Sequence, residues 1–123
     1  MSFAGMAGSI QHAKGGRLRA VAVTTGKRSE ALPEVPAIAE FLADYQAVSL
    51  FGIGAPKATP AEIIEILNRE INAGLADPKI QARFADLGGV VMPGPPQAFA
   101  KLLADETEKW GRVIKTANIR SEL

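Results

Sequence analysis

The chain has 123 residues, which is enough for one domain of ordinary size but not for two full ones. Fourteen basic and thirteen acidic residues leave a net charge of +1, so the chain lacks the basic excess of a nucleic-acid-binding protein. The absence of cysteine excludes disulfide frameworks, thiolate nucleophiles and cysteine metal sites. No apolar run approaches the roughly 20 residues that a bilayer-spanning helix needs.

The amino-terminal part predicts the end of a strand over residues 1–3, a flexible loop, and a helical turn over 9–14. Gly15 and Gly16 end that turn. The start of the chain has neither a basic beginning nor a long apolar stretch, so it does not read as a signal peptide. We therefore expect a cytoplasmic protein if Met1 is the native start, or a native start that lies further upstream.

Residues 18–24 are small or β-branched and predict a strand buried on both faces. Pro33 and Pro36 keep the following connection extended, and a short helix is expected over 37–43. Residues 48–55 predict the second clear strand. Two isolated strands make a marginal sheet, so we expect another chain or upstream sequence to complete it.

The rest of the chain predicts helices. Thr59, Pro60 and Glu62 form a capping-box pattern at the start of the first. Asp77 followed by Pro78 begins a second helix, which ends at Gly88. A short strand is possible over 90–92, and a last helix is predicted over 97–117, with Asn118 after it. Apolar residues recur at helical spacing along all three helices.

Few residues support catalysis. His12 is the only histidine, and no carboxylate stands at a spacing that would orient it as a general base. No metal-ligand spacing is present, so the sequence predicts no enzyme, no metal and no cofactor. Trp110 is read as a core residue rather than a stacking platform. Arg28 is read as a surface residue paired with Glu30 or Glu34, although it could also bind a carboxylate.

Two loops are candidates for ligand contact. If residues 1–3 end a parallel strand, the loop over 4–9 lies at the carboxyl edge of the sheet, where open α/β sheets bind ligands. Thr24, Thr25 and Gly26 follow the next strand and would lie on the same edge. Their hydroxyl and amide groups could donate to a carboxylate, but an ordinary strand-ending turn explains them equally well.

Five stretches together resemble one protein family. They are RLRAVAVTTGKRSEALPEVPAIAE, VSLFGIGAPKATP, TPAEIIEILNREI, the ADP at residues 76–78 and FAKLLADETEKWGRVIKTANI. Their order and spacing are similar to the carboxyl-terminal part of the Bug family, the TctC-like solute-binding proteins of tripartite tricarboxylate transporters. The resemblance implies a partial, periplasmic-binding-protein-like α/β fold, helix-rich with few strands and with its sheet completed by another chain.

The resemblance also implies an organisation and a function. Residues 1–47 would end the second lobe, 48–56 would be the crossing strand, and 57–123 would be the helical end of the first lobe. The implied function is a periplasmic receptor that binds small carboxylates and passes them to membrane subunits. The implied ligand-binding residues, which border the cleft, are Phe3, Ala4, Gly5, Thr24, Thr25, Ser49 and Phe51.

A second hypothesis remains beside the receptor. Without the rest of the fold, the helices after Thr59 would expose apolar stripes, which favours self-association. The chain is therefore expected to be a homo-oligomer or to lack its amino-terminal lobe. The alternative function is a truncated remnant that acts only as a structural oligomer, without ligand binding.

Overall fold

The computed structural model describes residues 1–120, so the last three residues of the predicted 57–123 segment lie outside it. The helical elements in this range are α1 (Met6–Lys14), a 3₁₀ turn (Ile38–Glu40), α2 (Ala61–Leu75), α3 (Pro78–Asp86) and α4 (Pro96–Thr116). The chain divides into two compact units. The first comprises Met1–Ile53 with Ala73–Met92, and the second comprises Gly54–Asn72 with the described part of Pro93–Leu123.

The buried core among the described residues lies in the first unit. Ile10 on α1 packs with four other buried side chains, Val23, Leu32, Val35 and Ala37. Val23 holds two of the connecting segments together, because its N–H donates to the Pro36 carbonyl and its own carbonyl accepts from Ile38 N–H, both at 2.9 Å. These bonds form a parallel bridge between Val23 and Ala37. The two prolines of the connection thus place Val35 and Ala37 against α1.

The predicted strands are wrong as regular strands. Residues 18–24 are reduced to the single bridge at Val23, and no strand forms over 1–3, 48–55 or 90–92. Leu18 and Val21 are 50% and 65% exposed rather than buried on both faces. The physical reason is that a strand exists through its ladder of hydrogen bonds to neighbours, and within residues 1–120 the segment forms a single bridge rather than a ladder.

Most helix ends follow the local sequence signals. Asp77 caps α3, since its carboxylate accepts from Lys79 N–H at 2.7 Å and Ile80 N–H at 3.4 Å. Gly88 follows α3 with φ +71°, a left-handed conformation that favours glycine. Asn118 follows the end of α4 and likewise has a left-handed φ, of +50°. These predicted stops are confirmed.

The predicted start of α2 and the predicted length of the helix over 37–43 need correction. α2 begins at Ala61, and its first turn is built on the Pro60 carbonyl, which accepts from Ile63 N–H at 3.0 Å and Ile64 N–H at 3.2 Å. No hydrogen bond from the Thr59 side chain is found among residues 1–120, so the capping box is not formed. The helix predicted over 37–43 shrinks to the 3₁₀ turn over Ile38–Glu40, and Asp44, just beyond the predicted end, has a left-handed φ of +62°.

The apolar stripes of the last three helices are exposed, as the sequence predicts for a partial fold. None of the described residues in α2, α3 or α4 is buried. Trp110, predicted to be core, is 39% exposed, and its neighbours on α4 are similar. A soluble protein normally covers such faces, so these helices lack the surface against which their sequence is patterned.

Candidate functional site

The core of the first unit positions three segments that contain the predicted ligand-binding residues. The loop over 3–5 leads into α1, whose Ile10 packs with Val23 in one buried cluster. Thr24 follows Val23 directly, and its carbonyl accepts from Ala47 N–H at 2.9 Å. That bond ties the turn at 24–26 to the segment that leads to Ser49. The structure thus connects all three segments to one core, whereas their side chains make no shared hydrogen bond within residues 1–120.

The loop over 3–5 offers a ligand backbone N–H groups at the start of α1 rather than polar side chains. Gly5 is the N-cap residue of α1, and its carbonyl accepts from Gly8 N–H at 3.2 Å and Ser9 Oγ at 3.0 Å. Phe3 and Ala4 are exposed. The N–H groups of the first turn of a helix carry partial positive charge, so this end of α1 is suited to an anion.

The two threonines after Val23 differ in availability. Thr25 Oγ1 donates to the Lys27 carbonyl at 2.7 Å, which shapes the turn. The Thr24 hydroxyl, on a half-buried residue, has no hydrogen-bond partner in the described part of the chain. The turn interpretation therefore applies to Thr25, while Thr24 keeps a donor that a ligand could use.

Ser49 and Phe51 lie in the segment that follows Ala47. Both are exposed, and Phe51 is 92% exposed, so its ring has almost no protein contact. An isolated phenylalanine in this state is unfavourable unless something else covers it. The assignment of these two residues to a ligand site stays a prediction.

The guanidinium of Arg28 has a different partner from the one the sequence indicates. Arg28 Nε and Nη2 donate to the two carboxylate oxygens of Glu40, both at 2.8 Å, and Nη1 donates to the Pro33 carbonyl at 3.2 Å. Glu40 also accepts from Ala37 N–H at 2.8 Å. The preference for Glu30 or Glu34 was wrong because the proline-bearing connection folds back and brings the 3₁₀ turn to Arg28.

This ion pair moves the pKa of each group further from neutral pH. The hydrogen bonds from Arg28, and then from Ala37 N–H, lower the pKa of Glu40 to about 2, and the same contact raises the pKa of Arg28. Because the guanidinium already holds a carboxylate in the two-bond geometry, it is not available to a ligand carboxylate. Arg28 is thus a structural residue that holds the connection between residues 28 and 40.

Two surface depressions were not indicated by the sequence. One, of about 460 Å³, lies at the end of α1 in the first unit, and its lining includes Lys14, Leu32 and Glu34. The other, of about 510 Å³, lies between α2 and the start of α4 in the second unit, and its lining includes Asn68 and Gln97. Neither is lined by any predicted ligand-binding residue. Residues from separate parts of the sequence line each depression, so no short motif indicates either one.

The described residues hold no cluster of three or more potential metal-ligating side chains, and none of their helices is long and apolar enough to cross a membrane. His12 is exposed on α1.

Comparison with known proteins places this architecture in a class. A family model described as the tripartite tricarboxylate transporter family receptor, TctC, matches residues 2–119. The chain therefore belongs to this receptor family. The Bug and TctC resemblance seen in the sequence is confirmed.

Individual relatives support the assignment. A UPF0065 protein of Bordetella bronchiseptica is 39% identical over 116 residues, which cover 94% of this chain and 35% of the relative. Protein BugT of Bordetella pertussis is 34% identical over 107 residues, covering 86% of this chain and 33% of BugT. The chain thus spans about a third of the length of these curated relatives.

Solved structures show the same fold. The structure of Rpa4515 of R. palustris with adipate matches with a TM-score of 0.84 and 33% identity, over 92% of this chain and 38% of that one. The periplasmic binding protein BugD matches with a TM-score of 0.83 and 31% identity, over 91% of this chain and 38% of that one. These matches confirm a helix-rich, partial periplasmic-binding-protein fold of the α/β class.

Proposed function

We propose that this chain is the carboxyl-terminal portion of a periplasmic receptor that binds small carboxylates for a tripartite tricarboxylate transporter. The observation that carries the proposal is the family match over residues 2–119. The Rpa4515 structure, which contains the dicarboxylate adipate, supports carboxylates as the ligand class. In this proposal the protein acts by binding and delivery to membrane subunits, not by catalysis.

The proposed binding groups are neutral donors. The N–H groups at the start of α1 and the hydroxyls of Thr24 and Ser49 would hold a carboxylate, since a carboxylate accepts several such bonds. The exposed ring of Phe51 would cover the methylene chain of a ligand such as adipate. Arg28 has no part in this scheme because Glu40 holds its guanidinium.

Calorimetry with a panel of carboxylates tests the proposal. The panel pairs adipate, succinate and citrate with adipamide, a neutral control of the same length as adipate. We expect carboxylates to bind and adipamide to fail. Absence of binding by every carboxylate would refute receptor activity of the chain in this form.

Substitution of the free hydroxyl locates the site. Thr24→Val removes the donor while keeping the shape of the side chain. A hydrogen bond to a charged group is worth about 1.5–3 kcal/mol, so affinity should fall about 10- to 100-fold. Thr107→Val is the matched control, because its hydroxyl donates to the Leu103 carbonyl within α4 at 2.6 Å. Equal affinity of the Thr24 and Thr107 variants would remove Thr24 from the site.

A structural oligomer without ligand binding is the second candidate. The exposed stripes of α2, α3 and α4 favour it, since each apolar side chain they carry gains by burial against another copy. Light scattering separates the candidates when combined with calorimetry. An oligomer that binds no carboxylate supports this function, whereas a 13.0 kDa monomer with a cooperative melt contradicts it.

A further inference from the structure

We propose that the ion pair of Arg28 and Glu40 positions the turn at residues 24–26, so that Thr24 presents its hydroxyl to a ligand carboxylate. Arg28 and Glu40 act through the turn and touch no ligand, so they are positioning residues. The proposal rests on the proposed receptor function for the ligand, whereas the effect of the pair on the turn can be measured without one.

The buried bridge at Val23 anchors the first end of the turn. Val23 is 6% exposed; its N–H donates to the Pro36 carbonyl and its carbonyl accepts from Ile38 N–H, both at 2.9 Å. Its bridge partner, Ala37, is fully buried. Because Thr24 is the next residue after Val23, the core sets the position of its backbone on this side.

The ion pair anchors the other end of the turn. Arg28 Nε and Nη2 each lie 2.8 Å from an oxygen of Glu40, and Nη1 donates to the Pro33 carbonyl at 3.2 Å. The guanidinium can make these bonds together only in a narrow range of orientations, because its donors form a rigid planar fork. Arg28 therefore cannot move relative to the connection without breaking several hydrogen bonds at once.

One carboxylate links the two anchors. Glu40 Oε1, which accepts from Arg28 Nε, also accepts from Ala37 N–H at 2.8 Å. Ala37 is the bridge partner of Val23, so these bonds and the chain from Val23 to Arg28 form a closed ring that contains the turn. A turn fixed at both ends has lost conformational freedom before a ligand arrives, and such a preorganised site binds at a lower entropic cost.

The pair is suited to local positioning rather than to overall stability. The side chains of Arg28 and Glu40 are 47% and 39% exposed, and water screens the attraction between charges at such sites. Loss of the pair should therefore free the turn while the buried cluster around Ile10 stays intact. The backbone of Thr24 reports this change, because its carbonyl accepts from Ala47 N–H at 2.9 Å.

Hydrogen exchange without ligand tests the effect on the turn. Arg28→Gln and Glu40→Gln each remove the two-bond contact, and either should speed exchange of the Ala47 amide about threefold or more, since exchange follows the fraction of time that a hydrogen bond is open. The amides of α3, in the same unit, should keep their rates. The double variant should equal either single one, because a broken pair cannot be broken again. Unchanged exchange at Ala47, or equal acceleration at Ala47 and across α3, would overturn the proposal.

Calorimetry with adipate tests the consequence for binding. The two variants change the charge in opposite directions, since Arg28→Gln removes a positive charge and Glu40→Gln removes a negative one. If the turn holds the binding geometry only about a tenth to a third of the time in either variant, affinity falls about 3- to 10-fold in both. Simple attraction of the carboxylate to Arg28 would instead shift the two affinities in opposite directions, and that result would overturn the proposal.

Arg112→Gln is the matched control. Arg112 donates to Glu108 at 2.7 Å on α4, so its replacement removes the same charge and the same kind of ion pair outside the first unit. Exchange at Ala47 and adipate affinity should both stay within about twofold of the unsubstituted chain. Effects as large as those of Arg28→Gln would refute the positioning role. If the unsubstituted chain binds no carboxylate, the ligand role falls with the receptor function, while exchange at Ala47 still decides whether the pair fixes the turn.

Discussion

Gly88 leaves little room for a Cβ, so its replacement by alanine should lower stability for two separable reasons. Its φ of +71° disfavours any residue with a Cβ, at about 1–2 kcal/mol. A Cβ at this position would also overlap Met6 Sδ and lie 2.7 Å from Met6 Cγ and 3.3 Å from Ile10 Cδ1. Because the overlapping atoms belong to the flexible end of the Met6 side chain, turning them aside costs about 0.5–1.5 kcal/mol. We therefore expect Gly88→Ala to lower the free energy of unfolding by about 1.5–3.5 kcal/mol.

Gly16 provides the matched control for this substitution. It has the same φ of +71°, but a Cβ built there meets nothing within 4 Å. Gly16→Ala should therefore cost only the backbone part, about 1–2 kcal/mol. The difference between the two variants measures the steric contact with Met6. Urea denaturation followed by circular dichroism at a fixed protein concentration gives both values.

The double variant Gly88→Ala with Met6→Ala tests the stated cause. Truncation of Met6 removes the overlapping atoms, so the pair of substitutions should cost less than the sum of the single ones by about 0.5–1.5 kcal/mol. Equal costs for the alanines at positions 16 and 88, or additive effects with Met6→Ala, would refute the argument that α1 packs closely over Gly88.

Three further outcomes follow from individual contacts. Because the folded-state pKa of Glu40, about 2, lies below its ordinary value near 4.5, the stability from this group is present above pH 4.5 and lost as pH falls toward 2. Glu40→Gln should flatten that part of a pH series of urea midpoints, and an unchanged slope would contradict the assignment. Asn72→Ala should cost about 1–3 kcal/mol, since Asn72 bonds both the N–H (3.0 Å) and the carbonyl (3.1 Å) of Gly94. A loss below 0.5 kcal/mol in urea denaturation would refute that estimate. Asp77→Ala should cost about 1 kcal/mol and Asp77→Ser much less, and equal melting temperatures for the two would argue against the cap.

Local signals in the sequence predict where α3 begins and where α3 and α4 end. Pro78 with the Asp77 cap, Gly88 and Asn118 act through the backbone within a few residues, so their effect is independent of the rest of the fold. The family resemblance likewise depended on short stretches whose order is visible in one sequence. The ends of α3 and α4 and the receptor family could therefore be predicted.

The strands and the ion pair could not be predicted, for a different physical reason. A strand over 18–24 depends on neighbours distant in sequence or absent from it, so its pattern indicates burial that the described chain does not provide. The pairing of Arg28 with Glu40 depends on how two prolines fold the connection back, and nearer glutamates offered equally reasonable partners. The ligand residues stay predictions because the partner segments that would complete a cleft are not among the described residues.

Hydrogen exchange at the amides of residues 19–22 tests most directly the claim that this chain is an incomplete part of a larger receptor. In the free chain these amides should exchange at nearly the rate of an unstructured peptide, while Val23, bonded to Pro36, is protected. In a chimera in which residues 2–119 of this chain replace the matching part of BugT, the amides of Ala20 and Ala22 should become protected, because their N–H groups alternate with that of Val23 and face the edge away from its bridge. Slow exchange of all four amides in the free, monomeric chain would show that this segment finds its hydrogen-bond partners within the chain, and would contradict the account.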